Sequence, residues 1–312
     1  MEASAIYEPM LPVGWIGEQP TDHRLASLPG TAIPSHWYDH IIDRSLSCGI
    51  KVRAERRGFT VYDFASWAPG VVRVRARSSG RRFRTFGDLS EASKPALIQR
   101  LRVMNAHLTL LHAAAMAQHS ESPTVVRVHE RDLYRFDYPE GNGDGFWYRP
   151  LGDSAPTTVS PGDRARFGIM PIETYDLSLA WLDHVIATNQ LISFDLLNQT
   201  QAALGTHDYA QAVVAAWTIC ELQVRQRASD LPEVRERTGA AAVLGVMERS
   251  GRLSADLTQR LHVVREGRNK WLHTGESPDE GLALQAQEVA VELLRVVIDA
   301  LDIRETSRLL LL

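Results

Sequence analysis

Arg268, Asn269 and His273 are the side chains of this sequence whose types and spacing best fit a chemical task. Asn269 follows Arg268 directly, and His273 follows Asn269 by four positions. On a helix, residues four apart share a face, and a long arginine one position earlier reaches the edge of that face. A guanidinium holds two phosphate oxygens in a fork and stabilises charge building up on phosphorus. An imidazole moves protons near neutral pH. A carboxamide can hold the ring or the phosphate in place. RNA carries its own nucleophile, the 2′-hydroxyl, so such a set can break a phosphodiester without a metal or a covalent intermediate.

The element that must position these groups is the stretch 254–275. Leu257, Leu261, Val264 and Trp271 fall at spacings of four, three and seven, with Leu272 beside Trp271. This is the apolar stripe of an amphipathic helix. Arg268 occupies the vacant slot of the stripe, four after Val264 and three before Trp271. A charged group in a core-facing slot is costly unless it is paired or opens onto a site. Gly275 supplies the expected helix stop.

Arg268-Asn269-x-x-x-His273, on the penultimate helix of a C-terminal bundle, resembles the R-x(4–6)-H motif of HEPN domains. In that family a polar residue typically follows the arginine, and Asn269 matches. A long helix with Trp217 and Glu221 precedes the motif helix, and a last helix over 279–301 follows it. The resemblance covers residues 173–305. It implies a homodimer whose two motifs meet at a shared cleft, and metal-independent endoribonuclease activity, without a cofactor. It also implies a role as a toxin or anti-phage effector, with an inhibitory protein partner as one form of control. Some members of the family are inactive scaffolds, so a dimerisation and RNA-binding module, or a sensor and adaptor, is the alternative. The spacing alone carries little weight, because it recurs at Arg102 and His107 without the other features. Glu221 has two readings: pairing with Arg225 on its own helix, or orienting Arg268 or His273 across the bundle from the second shell of the site. The second is the expectation taken forward.

The rest of the chain bounds these readings. Its 312 residues suffice for two domains, and 44% hydrophobic with 23% charged residues is ordinary for a globular protein. Cys48 and Cys220 lie far apart and make no zinc or redox spacing, which fits a reducing compartment. No run has the length of a membrane span, and MEASAIYEPM does not read as a signal peptide. A cytoplasmic protein that does not enter a membrane is the expectation. The net charge of −4 excludes a globally basic nucleic-acid binder, so RNA contacts must come from local patches.

One such patch lies near the N-terminus. VVRVRAR alternates Val72, Val74 and Ala76 with Arg73, Arg75 and Arg77, and after a Ser78-Ser79-Gly80 turn RRFRTF returns with Arg82 and Arg84 out of phase with Phe83. These five arginines are the RNA-binding candidates, with a solvated strand face as the bland alternative. Strands are expected over 50–86 and 123–138, and a helix over 88–118 with Leu97, Leu101, Met104, Leu108 and Leu111 inward. His107 and His112 then fall on its flanks. Residues 1–35 read as an extended arm, and His36 and His40 as surface histidines of a short helix.

The fold class is α+β: a small N-terminal α+β domain over 1–138, a Gly- and Pro-rich linker over 139–165, and a helical bundle over 166–312. The bundle comprises helices near 173–188, 191–204, 208–228, 233–249, the motif helix, and 279–301.

Overall fold

The structure is a computed structural model and describes residues 5–8, 15–17, 40–56, 60–64, 67, 94–118, 127–129, 134–137, 147–150, 169–235 and 237–300. The chain divides into two compact units, Met1–Thr188 and Asn189–Leu312. The architecture is α+β. No described helix is long and apolar enough to cross a membrane.

The first unit carries an antiparallel sheet built from β1 (Ala5–Glu8), β3 (His40–Ser45), β4 (Lys51–Glu55), β5 (Thr60–Asp63), β6 (Tyr134–Asp137) and β7 (Trp147–Pro150), in the order β3-β4-β5-β1-β6-β7. A parallel pair, β2 (Trp15–Ile16) with β8 (Ile169–Met170), stands apart. Val52 and Ala54 of β4 are fully buried while Lys51 is exposed and Arg53 half-buried, the period-two pattern of a strand with one covered face. Gly49, at φ 96°, closes the β3–β4 hairpin in a conformation that L side chains resist. Two expectations need correction here. Residues 5–8 are an interior strand, flanked by β5 and β6, rather than part of a peripheral arm. His40 opens β3 rather than lying on a helix; His36 lies outside the described residues.

Helix α1 (Lys94–Ala117) packs against α2 (Ile172–Ala187). From Val103 to Ala115 every residue of α1 is buried, so this stretch has no solvent face. That overturns the flank positions expected for His107 and His112. His107 is fully enclosed: its Nδ1 meets the Tyr62 hydroxyl at 2.5 Å and its Nε2 meets Ser178 Oγ at 2.9 Å. The Ser178 hydroxyl donates to the Tyr175 carbonyl at 2.7 Å. That leaves Nε2–H as the donor to Ser178 and Tyr62 as the donor to Nδ1, the neutral imidazole tautomer. Asn105, also buried, accepts from the Val128 amide at 2.8 Å and donates to the Val128 carbonyl at 3.3 Å. Because α2 rests on α1, it belongs to the compact first unit, although its sequence pattern reads as the opening helix of the bundle.

The second unit is all helix: α3 (Leu191–Gly205), α4 (Tyr209–Arg227), α5 (Ala240–Arg249), α6 (Ala255–Thr274) and α7 (Glu280–Ala300). Helix α4 is central and packs on the other four. Its buried stripe Val213, Trp217, Cys220 and Val224 is the one that the sequence periodicity marks. Asp208 caps it by accepting from the Gln211 amide at 3.1 Å. Burial pushes the Cys220 thiol far above its ordinary range, so it serves as a small apolar core residue.

Helices α6 and α7 come close at Gly267, where an added methyl would overlap the Leu282 Cδ2. Replacing a mid-helix glycine by alanine ordinarily stabilises by about 1 kcal/mol. Here overpacking opposes that gain, at about 1–3 kcal/mol. Gly267→Ala is therefore expected to destabilise the native chain, yet to stabilise it when Leu282 is already alanine. Urea unfolding of both single variants and the double variant reads the coupling, which should amount to about 0.5–3 kcal/mol. Additive effects would refute the close approach.

Candidate functional site

The site is built on the last turns of α6. Ser254 starts this helix by accepting from the Leu257 amide at 3.1 Å. Gly275, at φ 73°, ends it in the left-handed conformation, with its amide bonded to the Trp271 carbonyl at 2.9 Å. Both ends follow from residue type, and they fix the motif within a single unbroken helix.

The inner face of α6 emerges from the bundle toward its C-terminus. Leu261 and Val264 are fully buried, Arg268 is half-buried, and Leu272 is 50% exposed. Beyond Val264 the described residues cover the stripe only in part, with Arg268 and Trp271 half-buried. Arg268 turns its head toward the Asn269 face, with Nη1 donating to Asn269 Oδ1 at 2.9 Å. Its Nε is buried and has no acceptor among the described residues. His273, one turn beyond Asn269, is exposed and makes no hydrogen bond or ion pair among the described residues.

The neighbouring arginines show what is unusual about Arg268. Arg225 donates twice to Glu221 Oε1, at 3.1 and 2.8 Å. Arg252 clasps both oxygens of Asp230, at 2.5 and 2.7 Å. Arg260 lies between Asp256 at 3.0 Å and Glu292 of α7 at 2.5 Å, which ties α6 to α7. Arg227 donates to the Leu293 carbonyl. Arg268, like Arg227, has no carboxylate among the described residues, and unlike Arg227 its Nε is buried without an acceptor there. An unmet buried donor costs about 1–3 kcal/mol, and no carboxylate among the described residues offsets that cost at Arg268.

Glu221 follows the first of its two readings. Its carboxylate binds Arg225 on its own helix, and among the described residues no bond joins it to Arg268 or His273. The orienting role across the bundle therefore has no contact behind it. Lys270 pairs with Glu276 just past the helix end, and Thr274 donates to the Lys270 carbonyl at 2.7 Å, which pins the chain after the motif.

Arg73, Arg75, Arg77, Arg82 and Arg84 lie outside the described residues, as does most of 139–165. Within that stretch Trp147–Pro150 forms β7. Among the described residues no group of three or more His, Cys, Asp or Glu side chains is placed to hold a metal ion. The sequence reading passed over Arg265. It lies four after Leu261 and seven after Thr258, both buried, so the same periodicity that marks Arg268 as an inward slot marks Arg265 as well. Compared with known families, curated proteins and solved structures, the chain finds no match.

Proposed function

We propose that the second unit is a HEPN-like endoribonuclease that acts without a metal ion. The observation that carries this reading is Arg268: half-buried, with an unmet Nε and no carboxylate partner among the described residues, and its head turned toward the face that Asn269 shares with His273. In the proposed reaction the RNA 2′-hydroxyl attacks the adjoining phosphorus and the bond to the 5′-oxygen breaks. His273 takes the proton from the 2′-hydroxyl or gives one to the leaving oxygen. Arg268 stabilises the charge of the phosphorane-like transition state, and Asn269 holds Arg268 and the phosphate in register. The products are a 2′,3′-cyclic phosphate and a 5′-hydroxyl.

A second copy of the chain fits this reading. Val263, Leu272, Leu284 and Val296 are 41%, 50%, 42% and 70% exposed, a surplus of apolar surface on α6 and α7 that a two-fold partner would cover. The purified chain is expected to cut mixed RNA in the presence of EDTA and to leave cyclic phosphate ends. Cleavage that appears only when a divalent metal is restored would refute the mechanism.

One observation favours the non-catalytic alternative. The His273 ring has no acceptor among the described residues to fix its orientation, whereas a working imidazole is usually held by one. In that case the unit binds RNA as a dimeric scaffold, and tight binding persists in EDTA with no product formed.

A further inference from the structure

Arg265 shares the unusual condition of Arg268. It sits one turn earlier on the same emerging face of α6, and its side chain is 23% exposed. Its Nε is buried with no acceptor among the described residues. Among the described residues its one ionic contact runs from Nη2 to Glu266 Oε1 at 3.4 Å, and that carboxylate belongs to the adjacent, well-exposed residue. Neighbours in sequence do not face each other on a helix, so this contact is weak and easily exchanged. Positions 258 and 261, which precede Arg265 by seven and four, are a buried threonine and a buried leucine. Two guanidiniums thus replace apolar side chains in consecutive inward slots, and each leaves a buried donor unmet. Two such defects one turn apart in a packed bundle call for one explanation.

We infer that Arg265 and Arg268 form a grip for two consecutive phosphates of one RNA strand, with Arg268 on the bond that breaks and Arg265 on the phosphate next to it. This rests on the reading of the site proposed above and narrows its substrate class. Cβ atoms three residues apart on a helix are about 5–6 Å apart, and the long, forked side chains bridge the remaining offset to adjacent phosphates. The substrate is then a strand with at least two neighbouring phosphates. A dinucleoside monophosphate fills only half of the grip. Arg265 is a positioning residue and takes no part in the bond change.

The test compares a trinucleoside diphosphate with a dinucleoside monophosphate of the same bases, in EDTA. The wild-type chain is expected to favour the longer substrate in kcat/KM by about 10- to 100-fold, the worth of a charge-assisted phosphate contact. Arg265→Gln should bring that ratio close to one, and Arg265→Lys, which keeps the charge but not the fork, should restore part of it. Arg268→Gln should slow both substrates while leaving the ratio in place. Melting temperatures of the variants reveal any that fail to fold, and Arg265→Lys then carries the comparison. A ratio that survives Arg265→Gln, or a wild-type ratio near one with long RNA still cleaved, overturns the two-phosphate grip alone. A wild-type chain that cleaves no RNA overturns the site reading and the grip with it.

Discussion

Arg268→Ala and His273→Ala are each expected to slow RNA cleavage by about 10²–10³-fold, the usual effect of removing one preorganised stabiliser of transition-state charge. The two losses should differ in kind. Removing the guanidinium weakens both the ground-state hold on the phosphate and the stabilisation of its transition state, so KM and kcat both suffer. Removing the exposed imidazole takes away a proton carrier and should fall on kcat alone, with the pH–rate profile losing one limb. Neither change should unfold the chain. His273 is exposed and makes no hydrogen bond or ion pair among the described residues, and Arg268→Ala deletes a guanidinium whose Nε is already unmet, so its melting temperature is expected to hold or rise. A single-turnover assay with melting curves on the same samples reads both quantities. If both variants cut at the wild-type rate, the catalytic assignment is wrong. If Arg268→Ala loses several degrees of stability, the guanidinium is part of the architecture.

The contrast between α6 and α1 shows what could be read from the chain. In α6 the apolar spacing, Ser254, Gly275 and the charged slot at Arg268 all agree, because one face meets the bundle and the other meets water. Periodicity works when a helix has two unlike faces. Helix α1 has no such division between Val103 and Ala115, so an inner stripe of Leu97, Leu101, Met104, Leu108 and Leu111 left His107 and His112 on flanks that do not exist. A partial signal was present: VMNAHLTLLHAAAM contains no Asp, Glu, Lys or Arg, although Asn105, Thr109 and His112, at spacings of four and three, imitate a polar face. The packing partner of α2 was open for a different reason. Its apolar spacing, Leu177, Trp181 and Val185, marks one inward face and is silent on which helix covers it; α2 packs on α1, far away in sequence. The partner of Glu221 was undecidable for a related reason. Arg225 four residues on and a cation on another helix satisfy a carboxylate equally well, and only the fold selects between them.

That enclosed histidine leads to the second large effect, on stability rather than cleavage. Burial lowers the His107 pKa from 6.5 to about 3, so in the folded chain the ring stays neutral well below the pH at which the unfolded chain takes up a proton. The stabilisation is therefore complete above the unfolded value of 6.5 and is lost progressively as pH falls toward the folded value. At about 1.36 kcal/mol per pH unit, the loss is about 2 kcal/mol by pH 5 and ~4–5 kcal/mol near pH 3. Protonation would also break the network, since Nδ1 accepts from Tyr62 and a charged ring has no acceptor to offer. His107→Leu separates the two contributions. It removes the ring that meets the Tyr62 hydroxyl and Ser178 Oγ, and losing a buried hydrogen-bond partner costs about 1–3 kcal/mol, so the variant should be less stable at pH 7. It should also lose the acid-dependent slope, because the group that titrates is gone. Urea midpoints of the full chain between pH 7.5 and 4, for wild type and variant, give both numbers. A wild-type midpoint that is flat from pH 7 to 5 would mean that the ring is not held neutral, and an unchanged slope in His107→Leu would place the titration on another group.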